Sequence, residues 1–116
     1  MKSRYPVGVK ALPSDSTTQD MLKRILAAAR PSKVILFGSR GRGEARVDSD
    51  YDWLVIEKEV PSKYQEILKI RRALRGFGIP IDVLVVSERE FLDRCDTPSN
   101  VYYWAKHEGR ILYEAA

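Results

Sequence analysis

Short apolar segments with strand character alternate with helix-forming segments along this chain, and this alternation is the feature that most restricts its fold. Strands are predicted over residues 33–37, 51–57 and 81–86, where β-branched and other apolar residues cluster. In residues 51–57 apolar side chains occupy both parities, which predicts a central strand covered on both faces. Strands that alternate with helices predict an α/β fold, in which helices pack on a small mixed β-sheet.

Serine-led capping boxes indicate where the helices begin. In such a box the serine side chain accepts a hydrogen bond from a backbone N–H three residues later, where a glutamine or glutamate reaches back. The pairs are Ser16 with Gln19, Ser62 with Gln65, and Ser87 with Glu90. With glycine and proline as end signals, the sequence predicts helices over residues 16–29, 62–76 and 87–94, another from Pro98 or Ser99 to Gly109, and an edge strand over 110–113.

A length of 116 residues suits a single hydrophobic core, so we predict one domain over residues 1–116, with 1–15 as a flexible N-terminal segment. No apolar run approaches the length of a membrane span, and no apolar stretch near the start resembles a secretory signal. Cys95 is the only cysteine, which excludes an internal disulfide. These features predict a cytoplasmic protein without a membrane partner. An exposed sheet edge either pairs with another chain or is protected by charge, which leaves the oligomeric state open.

Positive charge exceeds negative charge only slightly, with a formal net charge of +4. A dedicated nucleic-acid binder clusters its basic residues on one face or one helix, whereas the basic residues here are spread over most of the chain. The densest cluster is Arg40, Arg42 and Arg46. A single triphosphate would account for this cluster, so direct nucleic-acid binding is not predicted.

The arginine cluster belongs to a glycine-rich loop, residues 38–43, which follows the first predicted strand directly. Glycine has no Cβ, so a backbone rich in glycine can approach a phosphate closely. Backbone N–H groups and arginine side chains then offset the negative charge of that phosphate. The loop therefore predicts a binding site for phosphate groups.

Two carboxylates lie at the start of the second predicted strand. Asp50 and Asp52 alternate with Tyr51, so they project from the same face of that strand. Like charges repel, so two neighbouring carboxylates without a cation are unfavourable. The same pair is well suited to hold Mg²⁺, a cation that prefers oxygen ligands. Asp82 lies inside the apolar third strand, where a carboxylate is expensive to bury unless something charged satisfies it. If the third strand lies beside the second, Asp82 completes a cluster of three carboxylates.

Each of these features has an ordinary structural explanation when it is taken alone. Glycine-rich turns are common connections, and Ser39 could equally be the N-cap of a helix. An isolated Asp-x-Asp is usually a solvated turn or a helix cap. Asp82 alone could be a strand-end residue paired with a lysine or an arginine. Three such coincidences at this spacing are less expected together, so we favour the functional interpretation.

The complete pattern resembles the motif of the minimal nucleotidyltransferases, a family of the DNA polymerase beta superfamily. The matching residues are Gly38-Ser39, then ten further residues, Asp50-x-Asp52, and Asp82 in a later apolar strand. No catalytic position departs from the family pattern. The resemblance implies a polymerase beta-like nucleotidyltransferase fold and transfer of a nucleoside monophosphate from a nucleoside triphosphate.

The resemblance also implies roles for the three aspartates. Asp50 and Asp52 would bind two Mg²⁺ ions, one that carries the triphosphate of ATP and one that activates the attacking hydroxyl. Asp82 would bind the second ion. It could also accept the proton of the hydroxyl, although a metal-bound oxygen need not have a dedicated base.

For the glycine-rich loop the resemblance implies contacts with the nucleotide. Ser39 and the N–H groups around Gly38 would hold the β- and γ-phosphates of ATP. Arg40 or Arg42 would offset charge on the pyrophosphate leaving group. The products would be a nucleoside monophosphate ester and pyrophosphate.

The acceptor of the nucleotide is expected to come from another molecule, because the chain leaves no residues for an acceptor-binding domain. The resemblance implies a HEPN-type toxin as partner and AMP transfer to one of its tyrosines, with this chain as antitoxin of a type VII-like toxin–antitoxin pair. Two alternatives stay open. The chain could neutralise its partner by binding without catalysis, or it could be a small-molecule or RNA nucleotidyltransferase with a separate acceptor-binding subunit.

Other conspicuous side chains are given structural roles. His107 lies near a predicted helix end, where a cationic residue is ordinary, and it is assigned no catalytic role. Tyr102, Tyr103 and Trp104 could stack on a base, but aromatic residues on a short helix more often fill a core or an interface. The basic run over residues 69–75 is most simply the solvated side of a helix.

Overall fold

Residues 16–46 and 49–115 are described by the computed structural model, and they form a mixed four-stranded sheet with helices on both faces. The elements are α1 (Ser16–Ala28), β1 (Lys33–Phe37), α2 (Gly38–Gly41), β2 (Tyr51–Glu57), α3 (Lys63–Ala73), β3 (Ile81–Ser87), α4 (Glu88–Arg94), α5 (Val101–Glu108) and β4 (Arg110–Glu114). The strand order is β3-β2-β1-β4, with β2 parallel to β3 and β1 antiparallel to β2 and β4. The predicted α/β fold is confirmed, whereas the proposed flexible segment 1–15 lies outside the described residues.

Strand β2 is central, as its sequence pattern predicts. Trp53 and Val55 project into a core that α1 and α3 cover. Leu54 and Ile56 project into a second core, which α4 and α5 cover. Burying each of these side chains contributes roughly 1.5–3 kcal/mol, so the two apolar faces fix β2 in the middle of the sheet.

Side-chain caps begin two of the helices as predicted. The Ser62 hydroxyl accepts a hydrogen bond from the Gln65 N–H at 3.3 Å, and α3 follows. The Ser87 hydroxyl accepts one from the Glu90 N–H at 3.1 Å, and α4 follows. Ser16 is already helical in α1, so its predicted role as a cap is not confirmed.

The fourth predicted helix begins later than expected, at Val101 rather than at Pro98 or Ser99. Asn100 is its cap, because its Oδ1 accepts hydrogen bonds from the backbone N–H groups of Tyr102 and Tyr103. The Asn100 side-chain amide also donates to two carbonyl groups of the preceding turn. Two sets of bonds on one side chain place the helix start at this residue.

All helices in the described ranges are short, and α1 is the longest of them with 13 residues. A membrane-spanning helix needs about 20 mainly apolar residues. Within residues 16–46 and 49–115, no helix has the length and apolar character that a bilayer crossing requires.

A carboxyl pair lies at the end of β2. Glu57 is only 8 % exposed, and its Oε2 has no hydrogen-bond partner among the described residues. Burial, followed by the hydrogen bond and the charge of Glu66, raises the pKa of Glu57 to about 7. The pKa of Glu66 is lowered: burial acts to raise it, but hydrogen bonds with Lys69 and Glu57 outweigh burial. The pair therefore holds one proton that an ordinary glutamate releases well below neutral pH.

We expect this pair to make the fold less stable as pH rises from about 5 to about 8. Between the ordinary pKa of 4.5 and the folded value of about 7, folded Glu57 keeps a proton that the unfolded chain has released, so the free energy of unfolding falls. Glu57→Gln should remove most of this fall, on the order of 1 kcal/mol. Thermal midpoints across the pH range check this, with the exposed Glu59→Gln as matched control. An equally steep fall in Glu57→Gln would contradict it.

Candidate active site

The glycine-rich segment forms a single helical turn, α2, rather than the open loop that its composition predicts. Strand β1 ends at Phe37, and Gly38 turns the chain with a φ of +68°, in the left-handed region that favours glycine. Phe37 is the N-cap and provides no side-chain hydrogen bond to the first turn. Ser39 lies inside that turn, so the alternative in which Ser39 is the N-cap is wrong.

Gly38 is also in direct contact with the Asp52 side chain. Strands β1 and β2 pair so that Phe37 lies opposite Asp52, which brings the start of α2 next to this carboxylate. A Cβ on Gly38 would overlap the Asp52 Oδ2 atom and lie 3.2 Å from its Cγ. The predicted phosphate-binding segment and the predicted metal-binding strand thus meet where only glycine fits.

The three aspartates come from neighbouring parts of the sheet. Asp52 and Asp82 are register partners in the parallel pair β2–β3, so their side chains project from the same face. Asp50 precedes β2 by one residue and is exposed. Asp82 is exposed as well, because it lies near the start of an edge strand, so the burial cost that its apolar neighbours suggest does not arise.

The charges of these aspartates act on one another. Burial raises the pKa of Asp52, and the negative charges of Asp82 and Asp50 raise it further, as does a hydrogen bond with Asp82. The positive charge of Arg42 opposes these effects but does not cancel them. Asp52 therefore lies in a field of excess negative charge, which a cation would relieve.

The donor set fits a divalent cation such as Mg²⁺. Carboxylate oxygens are the hard ligands that Mg²⁺ prefers, and Mg²⁺ usually needs only one or two of them besides substrate phosphates and water. In the described part of the chain, no three His, Cys, Asp or Glu side chains already surround one point as a complete metal cage. The pairing of Asp52 with Asp82, and the raised pKa of Asp52, are the observations that favour a cation here.

Arg40 braces the segment between α2 and β2. Its Nε and Nη2 donate hydrogen bonds to the Ser49 carbonyl at 3.0 and 2.8 Å, and its Nη2 donates to the Arg46 carbonyl at 3.3 Å. Its guanidinium lies over the Tyr51 ring at 3.8 Å from the centroid. The Tyr51 hydroxyl in turn accepts a hydrogen bond from Thr18 of α1. These contacts give Arg40 a structural role, so they do not support its predicted contact with phosphate.

Arg42 affects the Asp52 carboxylate through its charge. Its positive charge lowers the pKa of Asp52, although burial and the other aspartates outweigh it. Its guanidinium is 3.4 Å from Glu44 and 3.4 Å from Glu108. Exposed ion pairs of this length are weak, so they leave the side chain able to move toward an anion. Of the two arginines, Arg42 is the better candidate for a phosphate contact.

Sequence reasoning missed a close approach of two glycines that positions α2. A Cβ on Gly41 would lie 2.5 Å from the Leu36 carbonyl oxygen and 3.4 Å from the Gly109 Cα. A Cβ on Gly109 would overlap the Ala105 carbonyl oxygen. Helix α2 therefore lies directly against β1 and the end of α5. The only signal in the sequence is the presence of glycine at each position, which does not reveal that they meet.

Comparison with known proteins agrees with the fold. The family model of the nucleotidyltransferase domain matches residues 19–107. The chain therefore belongs to the nucleotidyltransferase domain family. It is 34 % identical over 89 residues, 72 % of this chain and 80 % of the relative, to a protein of Methanocaldococcus jannaschii that carries the provisional name protein adenylyltransferase.

Solved structures with this fold include two that are informative. One is a protein from Sulfolobus solfataricus with the provisional name nucleotidyltransferase, with a TM-score of 0.59 and 22 % identity over 84 % of this chain and 78 % of that one. Another is a toxin–antitoxin complex with AMP-PNP, with a TM-score of 0.52 and 19 % identity over 84 % of this chain and 73 % of that one. At these identities the likeness establishes the nucleotidyltransferase fold.

Proposed function

We propose that this protein transfers AMP from ATP to a hydroxyl group of a partner protein. The observation that carries the proposal is the meeting of Gly38, at the start of α2, with the Asp52 carboxylate, which pairs with Asp82 across β2 and β3. A phosphate-sized anion and a divalent cation both have complementary groups at this point. The provisional name of the relative from Methanocaldococcus jannaschii supports a protein as acceptor.

Asp50, Asp52 and Asp82 would hold two Mg²⁺ ions. When bound, Mg²⁺ supplies positive charge that offsets the negative charge of the triphosphate and of the leaving group. The backbone N–H groups at Gly38 and Ser39 bind the β- and γ-phosphates of ATP. The Asp82 side chain is exposed on the edge strand β3, where an acceptor hydroxyl can approach it.

In the proposed reaction, the oxygen of a tyrosine hydroxyl forms a bond with the α-phosphorus of ATP. The bond from that phosphorus to the oxygen bridging to the β-phosphate breaks, and pyrophosphate leaves. The Asp82 carboxylate accepts the hydroxyl proton. Because Asp82 lies on an edge strand and is exposed, a bulky protein acceptor reaches it without a change in the sheet.

For the partner we propose a HEPN-type toxin, which this chain neutralises by AMP transfer to a tyrosine, as the antitoxin of a type VII-like pair. The toxin–antitoxin complex that shares this fold was solved with AMP-PNP, an analogue of ATP, which supports the pairing of this fold with a toxin and with an adenine nucleotide. The same proposal places both proteins in the cytoplasm, where ATP and Mg²⁺ are present.

The test is a reaction of the purified chain with a HEPN-type toxin, ATP and MgCl₂, followed by intact-mass measurement of the toxin. We expect a mass gain of one or more AMP units, and no gain with Asp52→Ala. The exposed Asp93→Ala, on α4 and away from the site, serves as control and should retain the gain. A toxin that stays unmodified but is still neutralised would contradict the proposal and favour neutralisation by binding alone.

A further inference from the structure

A cationic cleft lies between the end of α3 and the start of β3. It has a volume of about 510 Å³ and is lined by Leu68, Arg71, Arg72, Leu74 and Arg75 from α3 and the turn after it, and by Ile79, Pro80 and Ile81. A volume in this range is typical of ligand-binding clefts. The basic run that the sequence suggests is a solvated helix face is therefore one wall of a cleft whose other wall is largely apolar.

The three arginines have no acidic partner in the described part of the chain. All three are exposed, and none of them forms an ion pair with a described residue. Basic residues in the last turn of a helix interact favourably with its dipole, which explains one or two of them at modest energy. Three uncompensated guanidinium groups on one cleft make a strongly attractive site for anionic groups.

The backbone at the end of α3 is held by a different arginine, Arg24 of α1. Its Nη1 donates a hydrogen bond to the Arg75 carbonyl at 2.8 Å and lies 3.5 Å from the Ala73 carbonyl. Its guanidinium also lies over the Phe77 ring, 4.5 Å from the centroid. Arg24 thus satisfies the helix end, so the three cleft arginines are not needed for that purpose.

The cleft and the candidate active site share the start of β3, on opposite faces of the sheet. Its apolar wall ends at Ile81, the residue before Asp82, and Ile81 is the register partner of Tyr51. The Pro80 carbonyl accepts a hydrogen bond from the Tyr51 N–H at 3.1 Å, and Tyr51 lies between Asp50 and Asp52. Ile81 and Asp82 project from opposite faces of β3, so an acceptor segment bound in the cleft would reach the carboxylates by passing around the start of this edge strand.

We infer that this cleft docks an acidic segment of the acceptor protein, with carboxylates on the arginines and an apolar side chain against Ile79 and Ile81. The inference rests on the proposed function, because it specifies how the protein acceptor of that reaction is held. An acidic peptide with apolar anchors matches both walls, whereas a nucleic acid would match only the arginines.

The test measures binding of a short fluorescein-labelled peptide of alternating glutamate and leucine, by fluorescence anisotropy, to the whole chain without ATP. The variant is Arg71→Gln/Arg75→Gln, and the matched control is Arg89→Gln/Arg110→Gln, which removes the same charge from exposed arginines outside the cleft. We expect the cleft variant to bind at least about tenfold more weakly and the control to bind as the parent does. Added salt should weaken parental binding.

Three results would overturn the inference: no binding of the acidic peptide to the parent chain, equal binding by the cleft variant, or tighter arginine-dependent binding of a single-stranded RNA. If Arg71→Gln/Arg75→Gln folds poorly, Arg72→Gln replaces it in the same binding measurement, and weaker peptide binding is again the expected result. Asp52→Asn should bind the peptide as the parent does although it transfers no AMP. Failure of docking and failure of the proposed reaction are therefore separate outcomes.

Discussion

Asp52→Asn is expected to lower AMP transfer by at least about 10³-fold and to raise the thermal midpoint of the metal-free protein by a few degrees. The activity falls because an amide cannot replace the charged oxygen that faces both Gly38 and Asp82. The stability rises because burial and the neighbouring aspartates raise the pKa of Asp52, which means that its charged form is disfavoured in the fold. Transfer assays and melting curves in EDTA measure the two effects.

The combination of lost activity with gained stability separates a metal-binding role from a structural one. Asp93→Asn removes an exposed aspartate from α4 and should change neither quantity beyond experimental error. Added MgCl₂ should stabilise the parent more than Asp52→Asn, because only the parent keeps the full set of carboxylates. A destabilised Asp52→Asn, or one that retains transfer, would count against the assigned site.

Gly38→Ala is expected to destabilise the fold by about 2–4 kcal/mol and to lower transfer by at least about 10²-fold. A φ of +68° is unfavourable for alanine, and the new Cβ would overlap the Asp52 carboxylate. Either the start of α2 or the Asp52 side chain must therefore move, and both belong to the proposed site. Chemical denaturation and transfer rates measure the two effects.

Two other glycines provide matched controls, because alanine at either position has an unfavourable φ but no close contact with a neighbouring side chain. Gly76 and Gly78 have φ values of +96° and +70°, and a Cβ on either would meet nothing within 4 Å. Alanine at each should cost about 1–2 kcal/mol and leave the transfer rate of the folded protein near the parental value. If Gly76→Ala lost transfer as fully as Gly38→Ala, the contact with Asp52 would not be the cause.

The sheet could be predicted well from the sequence, because its strands are marked by local signals. The bounds of β1 and β2 agree with the predicted residues 33–37 and 51–57, and β3 extends one residue beyond 81–86. Helix ends were less predictable. Helix α3 ends at Ala73 rather than near Gly76, and Arg24 of α1 donates hydrogen bonds to the carbonyls of Ala73 and Arg75, a contact between distant parts of the sequence.

The candidate site was predictable as a set of residues but not as an arrangement. The alternation of Asp50 and Asp52, and the apolar run around Asp82, are local patterns, and the adjacency of β2 and β3 then brings Asp52 and Asp82 together. The role of Arg40 was not predictable, because it depends on the Tyr51 ring and on a carbonyl nine residues away. The same limit applies to the arginine cleft, which needs the start of β3 as its second wall.

The most direct test of nucleotidyl transfer compares two labelled forms of ATP in reactions with a HEPN-type toxin. With ATP labelled at the α-phosphate, we predict that the label stays on the toxin through denaturing electrophoresis and disappears with Asp52→Asn. With ATP labelled at the γ-phosphate, we predict no label on the toxin, because that phosphate leaves in pyrophosphate. Label from the γ-phosphate on the toxin, or none from the α-phosphate, would contradict the assignment of this site to AMP transfer.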